Sequence, residues 1–252
     1  TKPSVSDFFV TGASYIYQTT QFPDSSTKYH NYYLLLRVGA YFGACSHVPE
    51  QLGVDAAGEL SGKALKSCLT DPRLPVRIAA MDAYFGTVYP HERQCSEAVE
   101  LPGGTPTEKA EFRDNLIADI AKVEQGMKIA LIGVVNPLIA AIRKRGGTCL
   151  PCDLQMERTH WGDPVEKDME KVLDSADGVI CTGMTLSNGT FDRVIERVLE
   201  RSIPLTVYAQ TGSAVAARFV GAGITSLVAE PFPFSQFSAN ATRVFCYRGQ
   251  GD

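Results

Sequence analysis

The sequence predicts an α/β protein in two parts, a small α+β first domain and then a Rossmann-like parallel sheet. Three observations carry this. Beyond residue 126, short apolar strands alternate with helical segments, the pattern of a parallel sheet covered on both faces. Before it, β-branched and aromatic runs separated by turn signals argue for an antiparallel meander. Helix-forming segments follow the meander within the same half. The boundary is placed near Gln125 and Gly126, giving domains of residues 1–125 and 126–252.

In the first domain, residues 5–10 and 13–20 are strand-like, and a polar turn near Pro23, Asp24, Ser25 and Ser26 leads to a strand over 32–38. The pattern resumes beyond Gly39 over 40–45. Residues 62–69 are rich in helix formers and stop at Asp71 and Pro72, because a proline disfavours helix in the residue before it. Pro75 opens a second helix over 76–85, since a missing N–H costs little in a first turn. Residues 101–106 read as a loop, and a helix starts at 107–110 and runs to about Val123.

In the second domain, 128–133 is an apolar strand followed by a helix over 138–145. A weaker strand covers 148–152, and strand 177–183 precedes helix 190–201. Strand 204–209 precedes helix 213–220, and 224–229 is the last parallel candidate. The tail at 243–248 is expected to add an edge strand.

Composition narrows the function. Of 252 residues, 44% are hydrophobic and 21% charged, which suits a soluble globular chain and excludes disorder. Lys+Arg is 24 and Asp+Glu 28, a net charge of −4 with no basic block. Such a chain is a poor match to a nucleic-acid backbone. Its apolar runs fall short of the ~20 residues that span a bilayer, and Thr1, Lys2, Pro3 and Ser4 open no signal-peptide pattern. Seven cysteines, an odd number at irregular spacing, point to a reducing cytoplasm in which thiols act as small buried hydrophobes. A homodimer is the base-rate expectation for assembly.

In an open parallel sheet, ligands bind beyond the carboxyl ends of the strands. Three loops therefore matter. The first holds Gly133, Val134, Val135, Asn136 and Pro137, whose amides enter a helix and could face an anion; a plain strand-to-helix turn is the simpler alternative. Asp153 lies 20 residues beyond Gly133, where a nucleotide-binding sheet places the acid that accepts from ribose hydroxyls; a helix cap or a surface aspartate is the simpler alternative. The second loop crowds Thr182, Gly183, Thr185, Ser187, Asn188 and Thr190 together. One of these suffices to cap the next helix, and the surplus suits a polar ligand. In the third loop, Gln210 points from a strand end into the same crevice, and Thr211 or Ser213 serves as cap.

Other signals are weaker. Cys149 and Cys152 have CxxC spacing but lie in a strand, whereas a redox pair starts a helix. The four histidines are scattered, and His160 with Trp161 could form a lid or a solvent-facing loop. Tyr15, Tyr17, Tyr32, Tyr33, Tyr41 and Phe42 make the first half aromatic. Most are expected in its core, with one or two at the domain junction free to face a cation.

The segments Leu65-Lys66-Ser67-Cys68-Leu69, residues 77–83, 128–133 and 219–224, and above all 176–190 with Thr-Gly-Met-Thr-Leu-Ser-Asn-Gly-Thr, resemble the putative heavy-metal chelation family. The resemblance implies an enolase-N-terminal-like domain before the Rossmann-like one, with a ligand site between them lined by Thr182, Thr185 and Asn188. The chain departs from the family in two places. Ala209-Gln210-Thr211-Gly212-Ser213 replaces a Gly-Pro-Ser/Thr turn, and Asp82 replaces the usual Asn. Both departures imply a specialised substrate.

Two functions follow as expectations. The first is an enzyme acting on S-adenosylmethionine or a similar nucleoside, with no metal. Asp153 would hold the ribose, and Gly133 and Asn136 the amino-acid end. Thr182, Gly183, Thr185, Asn188 and Gln210 would orient the chain, with Asn188, Thr185 and Gln210 as the catalytic set. A sulfonium is already a good leaving group, so positioning can do most of the work. Intramolecular displacement by the amine, forming azetidine-2-carboxylate and methylthioadenosine, needs no second substrate; methyl transfer is the neighbouring reaction. The alternative is a protein that binds a transition metal or metal chelate through Cys149, Cys152, Cys181 and His160.

Overall fold

The computed structural model describes residues 3–21 and 28–249; the turn expected near Pro23 lies outside them. A three-stranded antiparallel sheet runs β1 (Gly12–Gln21), β2 (Lys28–Val38), β3 (Tyr41–His47). Helices α1 (Ala56–Leu60), α2 (Leu65–Leu69), α3 (Leu74–Val88) and α4 (His91–Gln94) follow. Then come β4 (Glu97–Leu101), α5 (Pro106–Ile120), β5 (Lys128–Ile132), α6 (Asn136–Lys144), β6 (Thr148–Cys152) and α7 (Met169–Ser175). The chain ends with β7 (Gly178–Thr182), α8 (Met184–Ser187), α9 (Phe191–Arg201), β8 (Leu205–Ala209), α10 (Ser213–Ala216), β9 (Ser226–Ala229) and β10 (Thr242–Arg248). Among the described residues, no helix is long and apolar enough to cross a membrane.

Side-chain alternation along β2 builds two cores. Leu34 and Leu36 face the helices of the first half, whereas Tyr33 and Leu35 face the other way, against Phe234. Residues one apart on a strand point to opposite faces, so one strand joins both halves of the molecule.

The second sheet has seven strands in the order β4-β10-β9-β8-β7-β5-β6. Strands β5 to β9 are parallel, and β10 is antiparallel to both β9 and β4. From β5 the chain goes first to β6 on one side and then to β7 on the other. This reversal opens a crevice between the loops that leave β5 and β7.

Several expectations need correction. Residues 5–10 are not a strand. Ser4 and Asp7 close a capping box around a 3-10 turn, Val5–Asp7, and only Phe9 pairs, with Ala64. The Ser-x-x-Asp spacing outweighs the β-propensity of Val5 and Phe8. The helix expected over 62–69 is confined to Leu65–Leu69, because Gly62 N donates to Val10 O (2.8 Å) in a turn before it. The helix expected over 213–220 stops at Ala216 and continues as a 3-10 turn, Ala217–Phe219. The tail strand β10 is internal; the edge is β4, from the first half of the sequence. Residues 125 and 126 lie between α5 and β5, while β4 and α5 belong with the second sheet and its core.

Candidate functional site

A cavity of about 530 Å³ lies where the crevice meets β2, within the size range of small-molecule sites. Gly133, Asp153, Thr182, Gly183, Thr185, Asn188 and Gln210 all line it. Backbone geometry brings them there. Gly133 has φ +87°, and a Cβ on it would stand 2.7 Å from the Thr182 side chain. A Cβ on Gly183 would stand 2.4 Å from the Thr211 carbonyl oxygen. The loops leaving β5, β7 and β8 thus nest against one another at two glycines, as only a residue without a side chain permits.

The polar groups differ in what they have left to offer. The Asp153 carboxylate accepts from Gln155 N (2.8 Å) and Met156 N (3.0 Å) at Oδ1, and from Val134 N (3.0 Å) at Oδ2. Asp153 therefore holds a turn rather than capping a helix, the next helix being Met169–Ser175 with Asp168 as its cap, and about one Oδ2 lone pair remains for a ligand hydroxyl. Thr185 is buried and donates to Thr182 O (2.8 Å). Asn188 Oδ1 accepts from Thr190 N (3.1 Å) and Oγ1 (2.7 Å), so this residue caps the turn before α9. Among the described residues, the Thr182 hydroxyl has no hydrogen-bond partner, and it borders the cavity. Gln210 Nε2 donates to Glu230 Oε2 (3.0 Å) and Gln236 Oε1 (2.6 Å), which fixes its amide in the wall.

Asn136 stands apart from this set: it is not in the cavity lining. Its Nδ2 donates to Tyr29 Oη (3.1 Å), and its Oδ1 accepts from His160 N (3.0 Å). It ties β2 to the segment after β6, behind the cavity wall. Of the first-domain aromatics, Tyr33 lines the cavity, as does Tyr29, which the sequence did not single out. Burial pushes the Tyr33 hydroxyl up to about 12 and raises that of Tyr29, so both stay neutral donors. Tyr15, Tyr17 and Tyr32 cluster elsewhere, around His47.

The α5 face was also missed. Pro106, Lys109, Ala110 and Arg113 line the cavity. The available signal was two basic residues, four apart, on the same side of the helix as the core residue Ile117.

Among the described residues, Cys149, Cys152, Cys181 and His160 are not brought together as one ligand set. Cys152 and Cys181 both pair with Ile132, from opposite sides of β5. They are two strand spacings apart, roughly 9–10 Å, whereas thiolates sharing a zinc sit ~2.3 Å from it. Cys149 and Cys152 belong to cores on opposite faces of the sheet. Burial pushes the thiols of Cys149 and Cys181 up to about 12 and that of Cys152 up to about 11, away from the ligating thiolate. His160 is exposed and stacks edge-on against Trp161. Among the described residues, no three His, Cys, Asp or Glu side chains could hold one metal ion.

The comparisons agree with this architecture. Residues 115–225 match the sequence model of the putative heavy-metal chelation family. A family member of unknown function from Desulfitobacterium hafniense superposes with a TM-score of 0.64 at 16% identity, covering 96% of this chain and 92% of that one. Another of unknown function, from Pyrococcus horikoshii, superposes with a TM-score of 0.56 at 12% identity, covering 94% and 93%. Both show the shared mixed α/β fold. No curated protein matches in sequence.

Proposed function

We propose that the cavity binds S-adenosylmethionine or a closely similar nucleoside and that the protein is an enzyme acting on it. The observation that carries the reading is convergence. Asp153 beyond β6 and the hydroxyl-rich loop beyond β7 meet in one cavity at the reversal of strand order, where such sheets take nucleotides. The remaining Oδ2 lone pair of Asp153 accepts from a ribose hydroxyl, with the glycine loop at 133 beside it. The Thr182 hydroxyl donates to or accepts from the ligand chain. The Asn188 amide lies at the cavity edge, and Thr185 holds the turn in shape. Tyr29 and Tyr33 line the cavity, and an aromatic face presented there would suit a sulfonium by cation–π attraction and exclude water from it.

In the reaction we favour, the ligand's own α-amine attacks the methylene γ-carbon bound to sulfur. A C–N bond forms as the C–S bond breaks, the electron pair goes to sulfur, and the nitrogen loses a proton to solvent. The products are azetidine-2-carboxylate and methylthioadenosine. The protein's task is to fold the chain so that amine and carbon face each other. Calorimetry with S-adenosylmethionine tests the reading. Saturable binding, weakened in Thr182→Val, is expected; absence of binding up to ~1 mM overturns it.

A further inference from the structure

Arg113 differs from every other charged group at the cavity. Its neighbour Lys109 is buried and uses Nζ on Ser238 O (2.8 Å) and Asn240 O (2.6 Å), so it ties α5 to the chain before β10. Arg113 Nε donates to Asp114 Oδ1 (2.8 Å), and its guanidinium carbon lies 5.0 Å from the Tyr208 ring centroid. One edge and one face of the guanidinium plane are thereby fixed. The side chain is 11% exposed, and among the described residues neither Nη has a hydrogen-bond partner. Burial alone would weaken its charge, but Asp114, Tyr208 and Glu230 beside it keep it protonated. A held, charged fork of Nη–H donors therefore faces the cavity.

Its surroundings say what it recognises. The charged residues lining the cavity are Lys28, Lys109, Arg113 and Lys167 against Asp153. Glu230 does not line it; its carboxylate accepts from Tyr208 Oη (2.6 Å) and Gln210 Nε2 (3.0 Å). A planar fork with both Nη free matches a carboxylate through two parallel bonds. Tyr208 lies on β8, and Asp153 follows β6 with β5 and β7 between. That is three strand spacings, roughly 14 Å, which suits a nucleoside carrying an extended chain better than a bare one.

We propose that Arg113 is a carboxylate-binding residue that takes the acid group of the cavity's ligand through its two Nη atoms. Assigning that group to the amino-acid chain rests on the S-adenosylmethionine reading; the anion preference of Arg113 does not.

The test compares the native protein with Arg113→Lys in two arms. In the first, calorimetry with S-adenosylmethionine is expected to show at least ~10-fold weaker binding to the variant. Methylthioadenosine, which lacks the carboxylate, is expected to bind both equally. Equal weakening for both nucleosides marks Arg113 as structural and overturns the proposal. In the second arm, melting temperature is followed with sodium acetate or inorganic phosphate against chloride at matched ionic strength. Acetate is expected to stabilise the native protein and not the variant. If the native protein binds neither nucleoside, the nucleoside reading fails and this arm alone decides Arg113. An equal response of both proteins to acetate then overturns the proposal, and a larger response to phosphate overturns the choice of carboxylate. Should Arg113→Lys not fold, the native protein's guanidinium ¹⁵N resonances are followed through the same titrations. A shift of the Arg113 resonances with acetate sustains the proposal, and their invariance overturns it.

Discussion

Replacing Asp82 by asparagine should change how folding stability depends on pH. Asp82 on α3 is 1% exposed and accepts from Ala44 N (2.9 Å) on β3 and Ala214 N (2.7 Å) in α10. It therefore pins the first domain to the second. Burial pushes its carboxyl up to about 7, against the pull of those N–H donors, whereas an unfolded aspartate titrates near ~3.9. Between these values the unfolded chain has released a proton that the folded protein keeps, so stability falls as pH rises. About three units at ~1.36 kcal/mol each give ~4 kcal/mol in all. His91 acts in the opposite direction. Burial lowers its imidazole to about 4, so the stability it carries is present above ~6.5 and is lost as pH falls toward 4. Asparagine at 82 removes the first dependence and leaves the second. Urea unfolding of both proteins at several pH values from ~4.5 to ~7.5 isolates the difference. Native minus variant stability is expected to fall by ~3 kcal/mol across that range. Parallel curves would show that Asp82 keeps one charge state throughout and would refute the reasoning.

Other expectations follow from single contacts. Thr182→Val removes a hydroxyl that borders the cavity; it should shift unfolding by under ~1 kcal/mol and weaken nucleoside binding by roughly 5- to 10-fold in calorimetry. Gly133→Ala sets a Cβ 2.7 Å from Thr182 at φ +87°; thermal or urea unfolding should show a loss of ~1–3 kcal/mol. Protein dialysed against zinc and then against buffer should retain no stoichiometric metal by elemental analysis, since Cys152 and Cys181 stand on strands either side of β5.

The meander and the parallel strands were legible because their apolar and β-branched runs are local signals, with periods that stand out of any window. The three loops that border the cavity were legible for the same reason, since each follows a recognisable strand. Strand β4 was not, because Glu97, Ala98 and Glu100 are exposed and only long-range pairing with β10 makes the segment a strand. The turn at Val5–Asp7 was misread because a four-residue capping box competes with a β-like composition. Asp153 illustrates a different gap. Its position could be read from spacing, but its three backbone donors belong to a turn that no sequence pattern displayed. Arg113 was hidden because its meaning depends on Asp114 and Tyr208 fixing it from a helix and a distant strand.

A crystal structure of the protein grown with S-adenosylmethionine meets the central proposal head-on. The expected density places the ribose against Asp153, the chain past Thr182 and the carboxylate on Arg113. An empty cavity at saturating ligand, or a molecule seated elsewhere on the fold, would contradict it.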